Sequence, residues 1–205
     1  MTTVIPPATA YQQITWAALQ EQLETAIALA PKERVLQPYF AKYPAVNMVL
    51  EHPSSGYFGL ENDAIDLTDI EATYTQPSQK KRICFDHFDG IEIPYVNNFF
   101  HRVISFDPDL SYPNSLSVYL NELHRVLRPL GQVSLWLPLP SDTDVTQAIA
   151  IAESSLYDTI NIEKLCVITP NEVHEHSVLI ELRKPAKKAA AHQGPSVMIM
   201  SKRIS

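Results

Sequence analysis

The stretch FFHRVISFDPDLSYPNSLSVYLNELHRVLRPLGQVSLWLPL, residues 99–139, changes its hydrophobic period twice. Residues 100–106 form a short, nearly continuous apolar run, the pattern of a strand buried on both faces. After the loop DPDLSYP, Asn114 stands as a helix N-cap. Leu116, Tyr119, Leu120, Leu123, Val126 and Leu127 then recur at helical spacing. The run RPLG stops that helix, with Gly131 expected to take the positive φ that ends it, and QVSLWLPL reads at once as another strand. A strand, a helix of about three turns and a second strand in that order make a parallel crossover.

Working outward, NMVLE (47–51) reads as a short buried strand closed by His52 and Pro53, with SSG at 54–56 as a turn and 57–61 as a second strand. RICFDHF, ending at Phe88, reads as a third. On the other side, 141–160 shows Val145, Ala148, Ile149, Ala152 and Leu156 on one helical face, and 162–169 and 176–182 read as an antiparallel edge pair. The first periodic segment, 15–29, places Trp16, Leu19, Leu23, Ala26 and Ile27 on one face of an amphipathic helix. The expected fold class is α/β, a mostly parallel sheet with helices on both faces and an antiparallel edge pair. The expected division is a helical extension over 1–46, a domain over 47–184 and a flexible basic tail over 185–205. From Arg183 onward the chain carries six Lys and Arg and no carboxylate.

Composition narrows the function classes. At 205 residues, 45% of them apolar, the chain has material for one full core. Sixteen Lys and Arg against 23 Asp and Glu give a net charge of −7, which disfavours nucleic acid as a partner. Cys84 and Cys166 show no CxxC spacing, so neither a disulfide framework nor a metal site is expected, and both read as small residues buried in apolar strands. No apolar run is long enough to span a membrane, and the N-terminus lacks a charged signal region. The expectation is a soluble, cytoplasmic protein. His174 and His176 alternate on one strand face and read as solvated edge residues, Trp136 reads as core, and Lys80, Lys81 and Arg82 read as a solvated rim. Five glycines against 16 prolines is unusual, because glycine normally makes the tight phosphate-binding turns of nucleotide enzymes.

Within 83–139, Asp86 at a strand end, IEIP followed by Asn97, Asn98 and Phe99, the strand VISF and the run ELHRVLRPLG (122–131) resemble the second half of class I S-adenosylmethionine (SAM) dependent methyltransferases, the small-molecule type 11 group. The likeness continues more weakly over 47–184. It implies a Rossmann-like methyltransferase fold, SAM as cofactor, and ligand positions at the carboxyl ends of the central strands. On that basis Glu51, Ser54, Ser55 and Gly56 match the glycine-rich loop, Glu61 matches the acidic residue that holds ribose hydroxyls, and Asp86, Ser105 and Phe106 lie at neighbouring strand ends. Asp107, Tyr112 and His87 are candidates for a catalytic base.

The chain departs from that family where its backbone must approach the cofactor most closely. LEHPSSG carries a proline and serines where the family has glycines, removing a backbone donor and filling ligand space. The expected function is therefore a methyltransferase-like protein with a degraded SAM-binding loop, serving as a binding or scaffold subunit. Its N-terminal helix or basic tail would dock a protein partner. The alternative is an active SAM-dependent methyltransferase acting on a small molecule or a protein side chain.

Overall fold

The computed structural model describes residues 11–27, 29–52, 54–62, 65–74, 81–110 and 115–186. In chain order the elements are β1 (Gln12–Thr15), α1 (Trp16–Ile27), β2 (Arg34–Pro38), α2 (Val46–Leu50), β3 (Gly56–Asn62), α3 (Thr68–Tyr74) and β4 (Ile83–Phe88). They continue with β5 (Phe100–Phe106), α4 (Ser115–Val126), β6 (Leu127–Pro138), α5 (Asp142–Glu153), β7 (Asp158–Ile168) and β8 (Val173–Arg183). One sheet holds all eight strands in the order β1-β7-β8-β6-β5-β2-β3-β4. Only β8 is antiparallel to its neighbours, β6 and β7, and the remaining pairings are parallel.

Both faces of the sheet are covered, which is why its central strands carry near-continuous apolar runs. On one face Leu36, Val103, Leu135 and Ile180 pack against Tyr119, Leu120 and Leu123 of α4 and Val145, Ala148 and Ala152 of α5. On the other, Val35, Ile104, Phe106, Trp136 and Leu179 meet Leu19 and Leu23 of α1 and Val46, Met48 and Val49 of α2. The strand VISF, the helix after it and the edge pair thus lie where their periodicity put them.

The first central strand does not. NMVLE forms the short helix α2, and RVLQP, five residues beginning at Arg34, is the strand beside β5. A five-residue apolar run carries too little period to separate helix from strand. Pro38 stands at the last position of β2, where a missing N–H is tolerated. The boundary expected at 46/47 accordingly falls inside the sheet-forming unit, and β1 and β2 are hydrogen-bonded members of the same sheet. The tail expectation covers residues that, beyond 186, lie outside the described ones.

The RPLG turn also works differently from expectation. Helix α4 stops at Val126, and β6 begins at Leu127. Lys184 Nζ donates to the carbonyls of His124 and Leu127 at 2.6 and 2.7 Å, while the N–H groups of Asn98 and Phe99 donate to Arg125 and Val126. The helix end is thus capped by a cation and by neighbouring backbone. Leu130, not Gly131, takes the positive φ, at 66°. Glycine is needed at 131 for space, because a Cβ there would lie 2.7 Å from Leu127 Cγ and 2.9 Å from the carbonyl oxygens of Arg128 and His101. Two smaller expectations also change. His174 and His176 sit on an interior strand, packed against the rings of Trp136 and Tyr11, and Cys84 is exposed because β4 is an edge.

Two outcomes follow from this packing. Gly131→Ala destabilises the fold by about 1–3 kcal/mol through overpacking, whereas Gly56→Ala, whose added methyl meets Phe58 at 3.3 Å, costs less; urea denaturation reads both, and a neutral Gly131→Ala contradicts the assignment. Burial and the Lys184 ammonium hold the His124 imidazole below its ordinary 6.5, and burial with the Arg128 and Arg34 guanidiniums does the same to His101. The folded chain therefore favours both rings neutral, a contribution fully present above pH 6.5 and lost as pH falls through and below it. Denaturation followed across that range shows the decline, and the His101→Gln, His124→Gln double variant flattens it; an unchanged slope in that variant contradicts the account.

Candidate functional site

In an open parallel sheet the ligand crevice lies beyond the carboxyl ends of the strands, where the strand order reverses. Here the chain enters at β2 and proceeds outward through β3 and β4 on one side and through β5 and β6 on the other, so the crevice is at the β2/β5 junction. The loop after β2, residues 39–45 (YFAKYPA), borders it and contains no glycine.

That loop is fastened along its length by buried polar side chains. Tyr39, at φ 55°, turns the chain out of β2 while its N–H donates to Leu60 O at 2.8 Å. The Tyr39 ring is buried against Phe88 and Tyr119, and its hydroxyl pKa is pushed up to about 12 by burial and by the charges of Asp109, Glu61 and Asp89. Glu61, 6% exposed at the end of β3, accepts the Ala41 N–H on one oxygen at 2.8 Å and the Asn62 N–H on the other at 3.0 Å. Gln37, fully buried on β2, donates to Tyr43 O at 2.7 Å; its Oε1 accepts from the Ala45 N–H at 2.8 Å and the Tyr57 hydroxyl at 2.7 Å.

Across the junction, Lys42 Nζ lies 2.6 Å from Asp107 Oδ2 and 3.4 Å from Glu172 Oε1. Burial pulls this ammonium down and the Asp107 and Glu172 carboxylates more than offset it, leaving it above its usual range. Lys42 is half exposed, so this bridge alone is a weak closure. The buried bonds of Glu61 and Gln37 are the stronger restraint. Around the bridge, Trp16, Tyr43, Trp136 and Phe106 form an aromatic cluster, with Trp136 Nε1 buried and unpartnered. A cleft of ≈ 270 Å³ at this end lies behind the loop, between Phe40, Ala41 and Pro44 and the side chains of α3.

The residues singled out in the sequence divide into four groups. Glu61 and Asp107 meet the crevice, Glu61 with each oxygen accepting a backbone N–H and Asp107 with Oδ2 on Lys42. Asp86 and His87 lie near the end of the edge strand β4, exposed, with Asp86 Oδ1 accepting the His87 N–H. Ser105 and Phe106 lie beneath the crevice, the hydroxyl of Ser105 bonded to Tyr119 at 2.7 Å and the Phe106 ring fully buried. Glu51, Ser54 and Ser55 precede β3 and Gly56 opens it, so all four stand at the opposite, amino end of the sheet. Ser55 is buried with its hydroxyl toward Ala30 O, and Gly56 N–H donates to Glu33 O. That correction follows from NMVLE being α2 rather than a strand. Tyr112 lies outside the described residues.

Sequence reading missed Gln37, Tyr39, Ala41 and Lys42, and the available signal was only the short segment RVLQP, with Val35 and Leu36 its apolar pair and proline at its end. The run ELHRVLRPLG, which carries the resemblance, serves structure here. Glu122 accepts the Ile93 N–H, and Arg125 bonds Glu122, the Ile93 and Tyr95 carbonyls and Asn97 Oδ1, holding the loop that leads into β5. Among the described residues no group of three or more His, Cys, Asp or Glu is placed to hold a metal, and no helix is long and apolar enough to cross a membrane.

No protein-family model matches the chain, and no curated protein matches its sequence. Solved structures match its fold. A SAM-dependent methyltransferase from Mesorhizobium loti superposes with a TM-score of 0.62 at 14% identity, covering 80% of this chain and 96% of that one. One from Aquifex aeolicus gives 0.56 at 13%, covering 80% and 88%. The cyclase SpnF gives 0.65 at 13%, covering 87% and 88%. Identities this low establish the fold alone: the chain has the Rossmann-like architecture of class I SAM-dependent methyltransferases, as the residues from Asp86 to Gly131 implied.

Proposed function

We propose that this chain is a methyltransferase-fold protein whose cofactor crevice is closed by its own residues, and that it serves as a binding or scaffold subunit. The observation that carries this reading is the pair of backbone N–H groups, Ala41 and Asn62, held by the buried Glu61 carboxylate. In the family that the sequence resembles, the acidic residue at this strand end accepts ribose hydroxyls, and the preceding loop offers its N–H groups across glycines. Here the acceptor and the loop satisfy each other.

Admitting SAM in that manner requires the loop to leave Glu61, which breaks the Ala41 bond. A hydrogen bond to a buried charge contributes about 1.5–3 kcal/mol, so it opposes binding by roughly one to two decades in affinity. Phe40, fully buried against Phe85 and Tyr57, gives the loop little room to retreat. The residues present therefore do not fit SAM as the family holds it, and no methyl-transfer step is derived through Asp107 or His87.

The apolar face of α1, Leu19 and Leu23, is occupied by the sheet, so its docking role passes to the other expected element, the basic tail of 185–205. The alternative, an active methyltransferase, is favoured by the intact strand order and by the half-exposed Lys42, which can swing off Asp107.

Calorimetric titration of the purified chain with SAM and with S-adenosylhomocysteine separates the two. The closed crevice predicts no heat and no thermal shift at about millimolar ligand. Micromolar binding of either compound overturns the proposal and supports the enzyme.

A further inference from the structure

The amino end of the sheet, opposite the crevice, gathers charge of the sign that the chain as a whole lacks. Two adjoining clefts of ≈ 320 and ≈ 240 Å³ share Glu33. Lys32, Arg34, Lys81, Arg82, Arg102 and Arg128 line them, against the one carboxylate of Glu33, on a chain of net charge −7. Two of these cations have internal work. Arg82 donates to the carbonyls of His52 and Ser55, closing the end of α2, and Arg102 lies 3.4 Å from Glu33.

Among the described residues, Arg34 and Arg128 have no carboxylate partner. Arg34 donates from Nε to Phe99 O at 2.8 Å and lies 4.1 Å above the Phe99 ring, which fixes the guanidinium plane while no acceptor among the described residues meets its terminal nitrogens. Arg128 Nη1 lies 2.7 Å from His101 Nε2, and His101 Nδ1 already accepts the Arg34 backbone N–H at 3.1 Å. An imidazole whose Nδ1 accepts carries its proton on Nε2, so Nε2–H and Arg128 face each other as two donors. The other tautomer moves the same conflict to the Arg34 N–H. Either way a donor lacks an acceptor beside two guanidiniums.

One oxyanion resolves this arrangement. We propose that the cleft binds the phosphate group of a small phosphorylated molecule, with Arg34, Arg128 and His101 Nε2–H as donors and Lys32 and Lys81 at the rim. An oxygen between His101 and Arg128 accepts from both, and the planar fork of each arginine matches a phosphate edge. Concave clefts with Glu33 between them favour a compact ligand over a polymer laid along the surface. The net negative charge of the chain also opposes a phosphate backbone beyond these clefts.

Inorganic pyrophosphate, titrated into the full chain by calorimetry with NMR detection of the His101 ring, is the test. Saturable binding that shifts the His101 Nε2–H resonance is expected. Arg128→Gln, at an exposed position that leaves the fold intact, weakens binding by about tenfold or more. Lys164→Met, which removes an equal charge from the far strand β7, changes it by less than about twofold. Equal weakening by both variants, or no heat at about 10 mM pyrophosphate, overturns the proposal. So does tight binding of a single-stranded oligonucleotide without binding of pyrophosphate, which makes the surface a polymer site.

Discussion

Two buried side chains, Gln37 on β2 and Glu61 on β3, hold the seven residues that cross the mouth of the sheet, and most of what distinguishes this chain follows from them. Each sits at a strand end where the fold ordinarily leaves polar groups open to a ligand. Gln37 satisfies the loop at Tyr43 and Ala45 and receives the Tyr57 hydroxyl, while Glu61 takes the Ala41 N–H. Since a buried polar group without a partner costs about 1–3 kcal/mol, the loop and the two side chains stabilise one another, and withdrawing either leaves the other unsatisfied. The glycine-free sequence of the loop suits this role, because side chains such as Phe40 anchor it by burial against Phe85 and Tyr57.

The fold was legible wherever period was long. α4 and α5 announced themselves by helical recurrence, β5 and β6 by dense apolar runs, and β7 and β8 by two β-rich segments with a turn between them. The error lay in the shortest elements. RVLQP and NMVLE are both five-residue segments with only two or three adjacent apolar residues, and taking NMVLE as the first central strand carried Glu51, Ser54, Ser55 and Gly56 to the wrong end of the sheet. The sequence reading placed a degraded glycine loop at 51–56; the segment that borders the crevice is 39–45, which also contains no glycine. Glu61 and Asp107 were found because they stand at the ends of β3 and β5, both of which the sequence reading located. Gln37 and Lys42 were not, since burial of a glutamine and reach of a lysine across a junction are tertiary facts that no local pattern encodes. The resemblance had a similar limit: Glu122 and Arg125 resemble the family's most specific run, yet here they brace the loop before β5.

The two ends of the sheet have opposite chemistry. At the carboxyl end, Lys42 lies between two carboxylates and each Glu61 oxygen accepts a backbone N–H, so the local charges are internally matched. At the amino end, arginines outnumber carboxylates and His101 faces a donor with a donor. Matched groups favour a closed, structural role and unmatched ones favour a ligand.

Hydrogen exchange at the Ala41 amide tests the closed crevice most directly, since that N–H is the group the cofactor's loop would have to release. The account predicts an Ala41 amide protected by at least about a hundredfold over an exposed loop amide, with the same rate in the presence of millimolar S-adenosylhomocysteine. Exchange near the unprotected rate, or a rate that changes when S-adenosylhomocysteine is added, would contradict it.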